Sequence, residues 1–160
     1  MRKAVFPGTF DPPTHGHMNL IDRAAKIFDT VLVVIAVNQN KECLFSAEER
    51  RSMMEELLAG YDNVQVKLWD RLIVEFAQKN DARVILRGVR ALADFGYEFE
   101  LAMTNKGLNP DIDILFMPTD PKYFVLRSSA IKEVAMYGGD VTSMVPPNVA
   151  EALRERLRGS

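Results

Sequence analysis

Two histidines flank a glycine at the end of a loop near the N-terminus, residues 6–17. The loop holds two glycines, three prolines and two histidines, whereas a simple connector needs only a turn residue or two. It joins a short apolar run to an amphipathic segment, so we predict a helix N-terminus there, where backbone N–H groups favour an anion. Thr14 and His17 share a face of the first turn, while His15 points elsewhere. Alone, the pattern fits an anion site or a proline-rich turn with two surface histidines equally well.

More donors for anionic oxygens follow the other apolar runs, and few carboxylates accompany them. A lone lysine in a polar loop is usually only solvated, and Ser128 or Ser129 can serve merely as a helix N-cap. Together, however, these residues are typical of a phosphate site rather than of a pair of acid–base carboxylates. The residues are Lys41, Arg87, Gly88, Arg90, Tyr123, Arg127, Ser128 and Ser129.

Strand-like and helix-like segments alternate along the whole chain, which predicts a parallel sheet covered by helices. We expect a Rossmann-like, doubly wound, five-stranded parallel sheet with helices on both faces, in one domain of residues 1–160 with a C-terminal helical segment from about residue 128. In such sheets ligands bind outside the carboxyl ends of the strands, where the strand order switches. Strands are predicted at 4–6, 31–37, 64–68, 83–86 and 112–117, and helices at 16–28, 47–58, 71–79, 90–106, 129–137 and 148–157.

Composition narrows the class of protein. The net charge of −2 excludes the strongly basic surface of a nucleic-acid-binding or anionic-membrane-binding protein. The longest apolar run, residues 31–37, is too short to span a membrane. The sequence starts with no secretory signal pattern, and Cys43 is the only cysteine, which fits a reducing compartment. We therefore expect a cytoplasmic protein.

Several motifs resemble one enzyme family. The stretch from Gly8 to Pro12, followed by Thr14-x-Gly16-His17, resembles the [H/T]-x-G-H hallmark of nucleotidylyltransferases. Residues 87–91 with 94–98, and Ser128-Ser129 with the segment after them, are similar to bacterial phosphopantetheine adenylyltransferases. The resemblance implies transfer of the adenylyl group of ATP to 4′-phosphopantetheine, Mg²⁺ brought with ATP, and a homohexamer.

The resemblance also implies a role for each matching residue. His17 would donate to the α-phosphate and, with Lys41 and Arg90, would carry the catalysis. Thr9, Lys41, Ile73 and Arg87 would bind the acceptor. No residue is expected to hold a metal ion by itself. The nucleotide would contact Thr9, Phe10, His17, Gly88, Val89, Arg90, Glu98, Tyr123, Phe124, Val125, Leu126, Arg127, Ser128 and Ser129.

Three alternatives remain open at this point. The acceptor of another member of the superfamily could be nicotinamide mononucleotide or glycerol 3-phosphate, or the chain could be a silent nucleotide-binding module. Ile73 has the spacing of a core residue, and Glu98 could pair with an arginine such as Arg90. Arg127 stands where the family usually has a small hydroxyl residue, and Glu42 stands where a second basic residue is common.

Overall fold

Strands and helices alternate along the chain in the computed structural model, which describes residues 1–123 and 127–158. The strands are Lys3–Gly8 (β1), Thr30–Ala36 (β2), Val64–Trp69 (β3), Val84–Val89 (β4) and Asp113–Pro118 (β5), and the helices are His15–Ile27 (α1), Ala47–Leu58 (α2), Ile73–Lys79 (α3), Leu92–Leu108 (α4), Ser128–Met136 (α5) and Pro147–Leu157 (α6), with a short 3₁₀ turn at Pro121–Tyr123.

All five strands are parallel and lie in the order β3-β2-β1-β4-β5. Helices α1 and α2 cover one face of the sheet through a core that contains Ile21 and Met54. Helix α3 covers the other face, with Phe76 and Ala77 buried against Val5 and its neighbours. The central strands are buried on both sides, which explains their nearly continuous apolar sequences. The predicted Rossmann-like, doubly wound fold is therefore confirmed.

The sheet opens where its strand order switches, between β1 and β4. These two strands pair only at Ala4 with Val84 and at Val5 with Ile85. Pairing of β1 with β2 continues to Gly8, and pairing of β4 with β5 continues to Val89. The carboxyl ends of β1 and β4 therefore separate, and they leave a crevice at the place where doubly wound sheets bind ligands.

A third apolar cluster joins the C-terminal helices to the rest of the molecule. Ile131 of α5 and Leu153 of α6 are buried against Phe45 and Met53, which lie just before and within α2. This packing fixes the N-terminus of α5 beside the loop between β1 and α1. In the residues that the structure describes, no helix is long and apolar enough to cross a membrane.

The ends of the helices test the capping and termination signals that the sequence carries. The spacing of Ser46 and Glu49 predicts a capping box at the start of α2. This is confirmed, because Ser46 accepts from the Glu49 N–H and Glu49 accepts from the Ser46 N–H. From the sequence, Asp70 is expected to cap the helix predicted at 71–79, but α3 starts after Leu72 without a side-chain cap. Gly107 does not end α4, which continues to Leu108. Lys106 Nζ donates to the Pro110 carbonyl in the following loop, and this contact holds the last turn of the helix despite the glycine.

Strand β4 is longer than predicted. Arg87 and Gly88 were expected in the loop after the strand, but they lie within it, opposite Phe116 and Met117 of β5. A charged residue and a glycine weaken the sequence signal for a strand, while pairing with a neighbouring strand holds them in the ladder. Only Arg90 follows the strand end directly. Helix α5 likewise starts after Arg127 with no side-chain cap, so neither Ser128 nor Ser129 serves as its N-cap.

Candidate active site

A cavity of about 500 Å³ lies at the carboxyl ends of β1 and β4. It gathers most of the residues that the sequence predicted for the site. Within the described residues, Val89 and Ile73 do not line it. Ile73 is the first residue of α3 and packs against the buried cluster that contains Phe76 and Ala77. The predicted residues Phe124, Val125 and Leu126 lie outside the described residues. The predicted residues at the cavity are Thr9, Phe10, His17, Lys41, Arg87, Gly88, Arg90, Glu98, Tyr123, Arg127, Ser128 and Ser129.

His17 is fixed by the start of its own helix. The Thr14 N–H donates to His17 Nδ1 over 3.1 Å, and the His17 N–H donates to the Thr14 hydroxyl over 3.2 Å. The two side chains thus form a capping box, and the predicted shared face is observed. The Phe10 ring packs edge-on against the imidazole, with ring centres 4.8 Å apart.

The imidazole of His17 is held in its neutral form. Burial, followed by the positive charges of Arg90 and Arg87, lowers its pKa from 6.5 to about 4. Nδ1 must be unprotonated because it accepts the Thr14 N–H. The proton of the neutral ring therefore sits on Nε2, and among residues 1–123 and 127–158 that N–H has no acceptor. This arrangement makes His17 a hydrogen-bond donor and a poor base at neutral pH.

Arg87 is held in place by a carboxylate of α4. Its Nε and Nη2 donate to the two oxygens of Glu98 over 2.6 and 2.7 Å, and its Nη1 donates to the Pro7 carbonyl over 3.1 Å. Glu98 is therefore partnered with Arg87 rather than with Arg90. Both side chains of this pair are only partly exposed. A guanidinium has five N–H groups, and two of those on Arg87 remain for another acceptor.

Arg90 and Arg127 share one carboxylate, Asp94. Arg90 Nε lies 3.2 Å from one oxygen of Asp94, and Arg127 Nη2 lies 3.5 Å from the other. Asp94 thus brings α4 and the start of α5 together at the mouth of the cavity. Because the Arg127 side chain is 58% exposed, its pair with Asp94 contributes little stability by itself. Arg127 remains available to an anion in the cavity.

Two further contacts complete the cavity wall. Lys41 Nζ donates to the Thr9 hydroxyl over 3.3 Å, which brings the loop after β2 to the loop after β1. The Ser128 hydroxyl donates to the Pro12 carbonyl over 2.9 Å and joins α5 to the same loop. The Tyr123 ring lies 6.2 Å from the ring of His15, which is itself not part of the cavity wall. Cationic and N–H donors thus meet from four loops at one place.

Comparison with known proteins identifies the family. Residues 5–134 match the cytidylyltransferase-like family model. The chain is 45% identical over 157 residues to a phosphopantetheine adenylyltransferase of Clostridium perfringens, with 98% of this chain and 96% of the relative covered. It is 47% identical over 158 residues to one of Streptomyces coelicolor, with 99% of each covered. The chain belongs to the phosphopantetheine adenylyltransferase family.

A solved structure supports the fold alone. A proposed nicotinate-nucleotide adenylyltransferase from Vibrio parahaemolyticus superimposes with a TM-score of 0.73 at 20% identity, with 100% of this chain and 98% of that chain covered.

Sequence reasoning missed two charged residues at the cavity, Asp11 and Lys132. They form an ion pair of 3.0 Å, and Asp11 also accepts the N–H groups of Leu44 and Phe45. Burial raises the pKa of Asp11, but those two N–H groups and the Lys132 ammonium outweigh it and hold the pKa below its usual value. The interaction joins three segments that are distant in sequence, so no local sequence pattern predicts it.

A second cavity, of about 600 Å³, lies between the end of α5 and α6. Its polar lining includes Asp140 and Arg154. It contains none of the predicted site residues, and it lies away from the switch point of the sheet. The predicted donors therefore converge at the smaller cavity and not at this one.

Proposed function

We propose that the chain transfers the adenylyl group of ATP to 4′-phosphopantetheine, which gives dephospho-coenzyme A and pyrophosphate. The observation that carries this proposal is the convergence on one cavity of the residues whose motifs match the family. The family relatives named above support the acceptor, and the cationic wall of the cavity suits two substrates that both carry phosphate.

Chemistry of this kind needs positioning more than acid–base catalysis. A phosphate monoester has a second pKa near 6, so the acceptor is already a nucleophile at pH 7. An oxygen of the acceptor phosphate attacks the α-phosphorus of ATP, the bond from that phosphorus to the bridging oxygen breaks, and pyrophosphate leaves with the electron pair. The enzyme has to bring two polyanions together and stabilise the charge that builds up.

His17 suits this task because it is neutral and donates. Its Nε2–H is proposed to stabilise the charge that develops on the α-phosphate. A protonated imidazole would lose the bond that Nδ1 accepts from the Thr14 N–H, so charging the ring would disturb the start of α1. Arg90, at the end of β4, is proposed to contact the triphosphate beside His17.

The acceptor phosphate is proposed to bind between Lys41 and Arg87. Lys41 already touches Thr9, and Arg87 has two N–H groups left after its contacts to Glu98 and Pro7. The nucleotide would occupy the side of the cavity formed by Tyr123, Arg127 and the N-terminus of α5. Glu98 accepts one bond from Arg87 on each oxygen, and a carboxylate has further acceptor sites, so its predicted contact with the nucleotide would add to this pair.

Magnesium is proposed to enter with ATP. Among residues 1–123 and 127–158, no group of three or more His, Cys, Asp or Glu side chains is placed to hold a metal ion. The cavity carboxylates are engaged, Asp11 with Lys132 and Glu98 with Arg87. The triphosphate itself offers the oxygen ligands that Mg²⁺ prefers, and the bound ion would neutralise phosphate charge. No side chain of the chain is assigned to it.

A homohexamer in the cytoplasm is proposed from the family resemblance. The exposed side chains of α4 support burial of that helix in an assembly, since Leu92 is 86% exposed and Tyr97 is 64% exposed. Monomers rarely leave so many large apolar side chains in water. Light scattering of the purified protein should give about six times 18.1 kDa. A mass of one or two chains would contradict the hexamer.

The reaction can be tested by pyrophosphate release. ATP or CTP is supplied with 4′-phosphopantetheine, nicotinamide mononucleotide or glycerol 3-phosphate as acceptor. We expect release only with ATP and 4′-phosphopantetheine. Release only with CTP and glycerol 3-phosphate, or with nicotinamide mononucleotide, would assign another transferase activity. No release with any pair would indicate a silent nucleotide-binding module.

A further inference from the structure

Arg50 is the one cation with a buried side chain in the part of the chain that the structure describes. It is 4% exposed and lies in the first turn of α2. No carboxylate of the described residues pairs with it, although burying an unpaired charge is costly. Within the described residues, its guanidinium donates through Nε and Nη1 to backbone carbonyls. A buried charge held in this way organises the backbone around it.

The four carbonyls come from three separate segments. Nη1 donates to the Thr9 carbonyl over 2.7 Å and to the Ala36 carbonyl over 3.1 Å. Nε lies 3.2 Å from the Phe45 carbonyl and 3.3 Å from the Ser46 carbonyl. One planar group therefore ties the loop after β1 to the end of β2 and to the start of α2. A guanidinium can do this because its donors form a rigid fork.

The bond to Thr9 fixes the orientation of a peptide at the cavity. In a trans peptide the C=O and the following N–H point in opposite directions. Arg50 lies behind the loop and does not line the cavity, whereas Thr9 and Phe10 do. Since the Thr9 carbonyl faces Arg50, the Phe10 N–H faces away from it. Within residues 1–123 and 127–158 that N–H has no acceptor.

Phe10 itself is held in an uncommon conformation. Its φ is 52°, and the residue as a whole is 1% exposed. Left-handed backbone is unfavourable for a residue with a side chain and persists where the surroundings impose it. The anchored Thr9 carbonyl on one side and the buried Phe10 ring on the other supply that restraint. The free N–H is thus presented in a fixed direction.

We propose that Arg50 is a positioning residue that orients the Thr9–Phe10 peptide so that the Phe10 N–H receives a phosphate of the bound nucleotide. The inference rests on the proposed function in taking ATP as that nucleotide. Arg50 touches no substrate and acts through Thr9. The same guanidinium holds Ala36 at the end of β2, directly before the loop that carries Lys41, so both loops are set by one side chain.

The test compares Arg50→Lys with Arg51→Lys. The first variant keeps the charge but loses the fork. Arg51 is the adjacent helix residue, its side chain is 43% exposed, and it pairs with Glu55 at the surface, so it is a matched control. Calorimetric titration with ATP alone, below the melting temperature, should show affinity at least tenfold weaker in Arg50→Lys, as expected for loss of one hydrogen bond to a charged group. Arg51→Lys should match the unaltered chain.

A purely structural role predicts a different result. Arg50→Lys would then melt at a lower temperature, yet bind ATP within threefold of the unaltered chain, and this outcome would overturn the proposal. If Arg50→Lys does not fold, amide hydrogen exchange of the unaltered chain decides. The Phe10 amide should become more protected when ATP binds, whereas protection that is unchanged by ATP would overturn the proposal.

These readouts separate the inference from the proposed function. ATP affinity is measured without acceptor, so it does not depend on the adenylyl transfer. Dependence of ATP affinity on Arg50, with no pyrophosphate release on any acceptor, would leave the positioning role intact and remove the reaction. Normal turnover with ATP and 4′-phosphopantetheine in both variants, with unchanged ATP affinity, would support the proposed reaction and overturn the positioning role of Arg50.

Discussion

The imidazole of His17 is expected to stay uncharged well below pH 6.5, and this should appear in the stability of the protein. Burial and the nearby arginines lower its pKa from 6.5 to about 4. Between those values the unfolded chain binds a proton that the folded chain does not. Stability therefore rises with pH in this range and is lost as the pH falls. At about 1.4 kcal/mol per pKa unit, the full loss is about 3 kcal/mol.

A variant can isolate this effect. In His17→Gln the capping box is preserved, because glutamine at the third helical position can accept the Thr14 N–H as the imidazole does. The variant lacks the titrating ring but keeps His15 and every carboxylate. Going from pH 7 to pH 5 should cost the unaltered chain about 2 kcal/mol of unfolding free energy that His17→Gln does not lose.

Urea unfolding at pH 7, 6 and 5 provides the measurement. The unfolding free energy of the unaltered chain, minus that of His17→Gln, should fall steadily from pH 7 to pH 5, by about 2 kcal/mol in total. Parallel curves for the two proteins would show that His17 titrates normally, and they would refute its assignment as a permanently neutral donor. In the transfer assay, His17→Ala should lower kcat on the order of 10²–10³-fold, as for loss of one transition-state donor.

Three other substitutions test the site and its supports. In Gly88→Ala the new Cβ would lie 2.4 Å from Leu20 Cδ1, so we expect a loss of about 1–3 kcal/mol in urea unfolding, and an unchanged midpoint would show that α1 repacks freely. Glu98→Gln removes the charge that holds Arg87 and should cost about 1–3 kcal/mol, while a cost near zero would class the pair as a surface ion pair. His15→Ala should leave kcat within about twofold, since His15 is outside the cavity wall, and a loss equal to that of His17→Ala would contradict the helix phase.

The parts of the site that could be predicted from the sequence depend on local order. The Thr14 and His17 side chains meet because they are three residues apart on one helical turn, and the cap of Ser46 with Glu49 follows the same rule. The fold class follows from the alternation of strands and helices. The converging loops follow because the carboxyl ends of parallel strands share an edge.

The parts that could not be predicted depend on contacts between distant segments. Arg87 and Gly88 stay in β4 because β5 pairs with them. The partner of Glu98 is set by the position of Arg87 in β4, eleven residues earlier in the chain. Arg50 contacts carbonyls up to 41 residues away from it in the chain, and its sequence context is only an ordinary capped helix.

Transfer of label from ATP is the most direct test of the central claim. ATP labelled at the α-phosphate is incubated with Mg²⁺, 4′-phosphopantetheine and the protein, and the products are separated. The label should appear in dephospho-coenzyme A, with one pyrophosphate released for each molecule formed. Label that stays in ATP, or that is released as AMP, would contradict the claim that this cavity joins the two substrates.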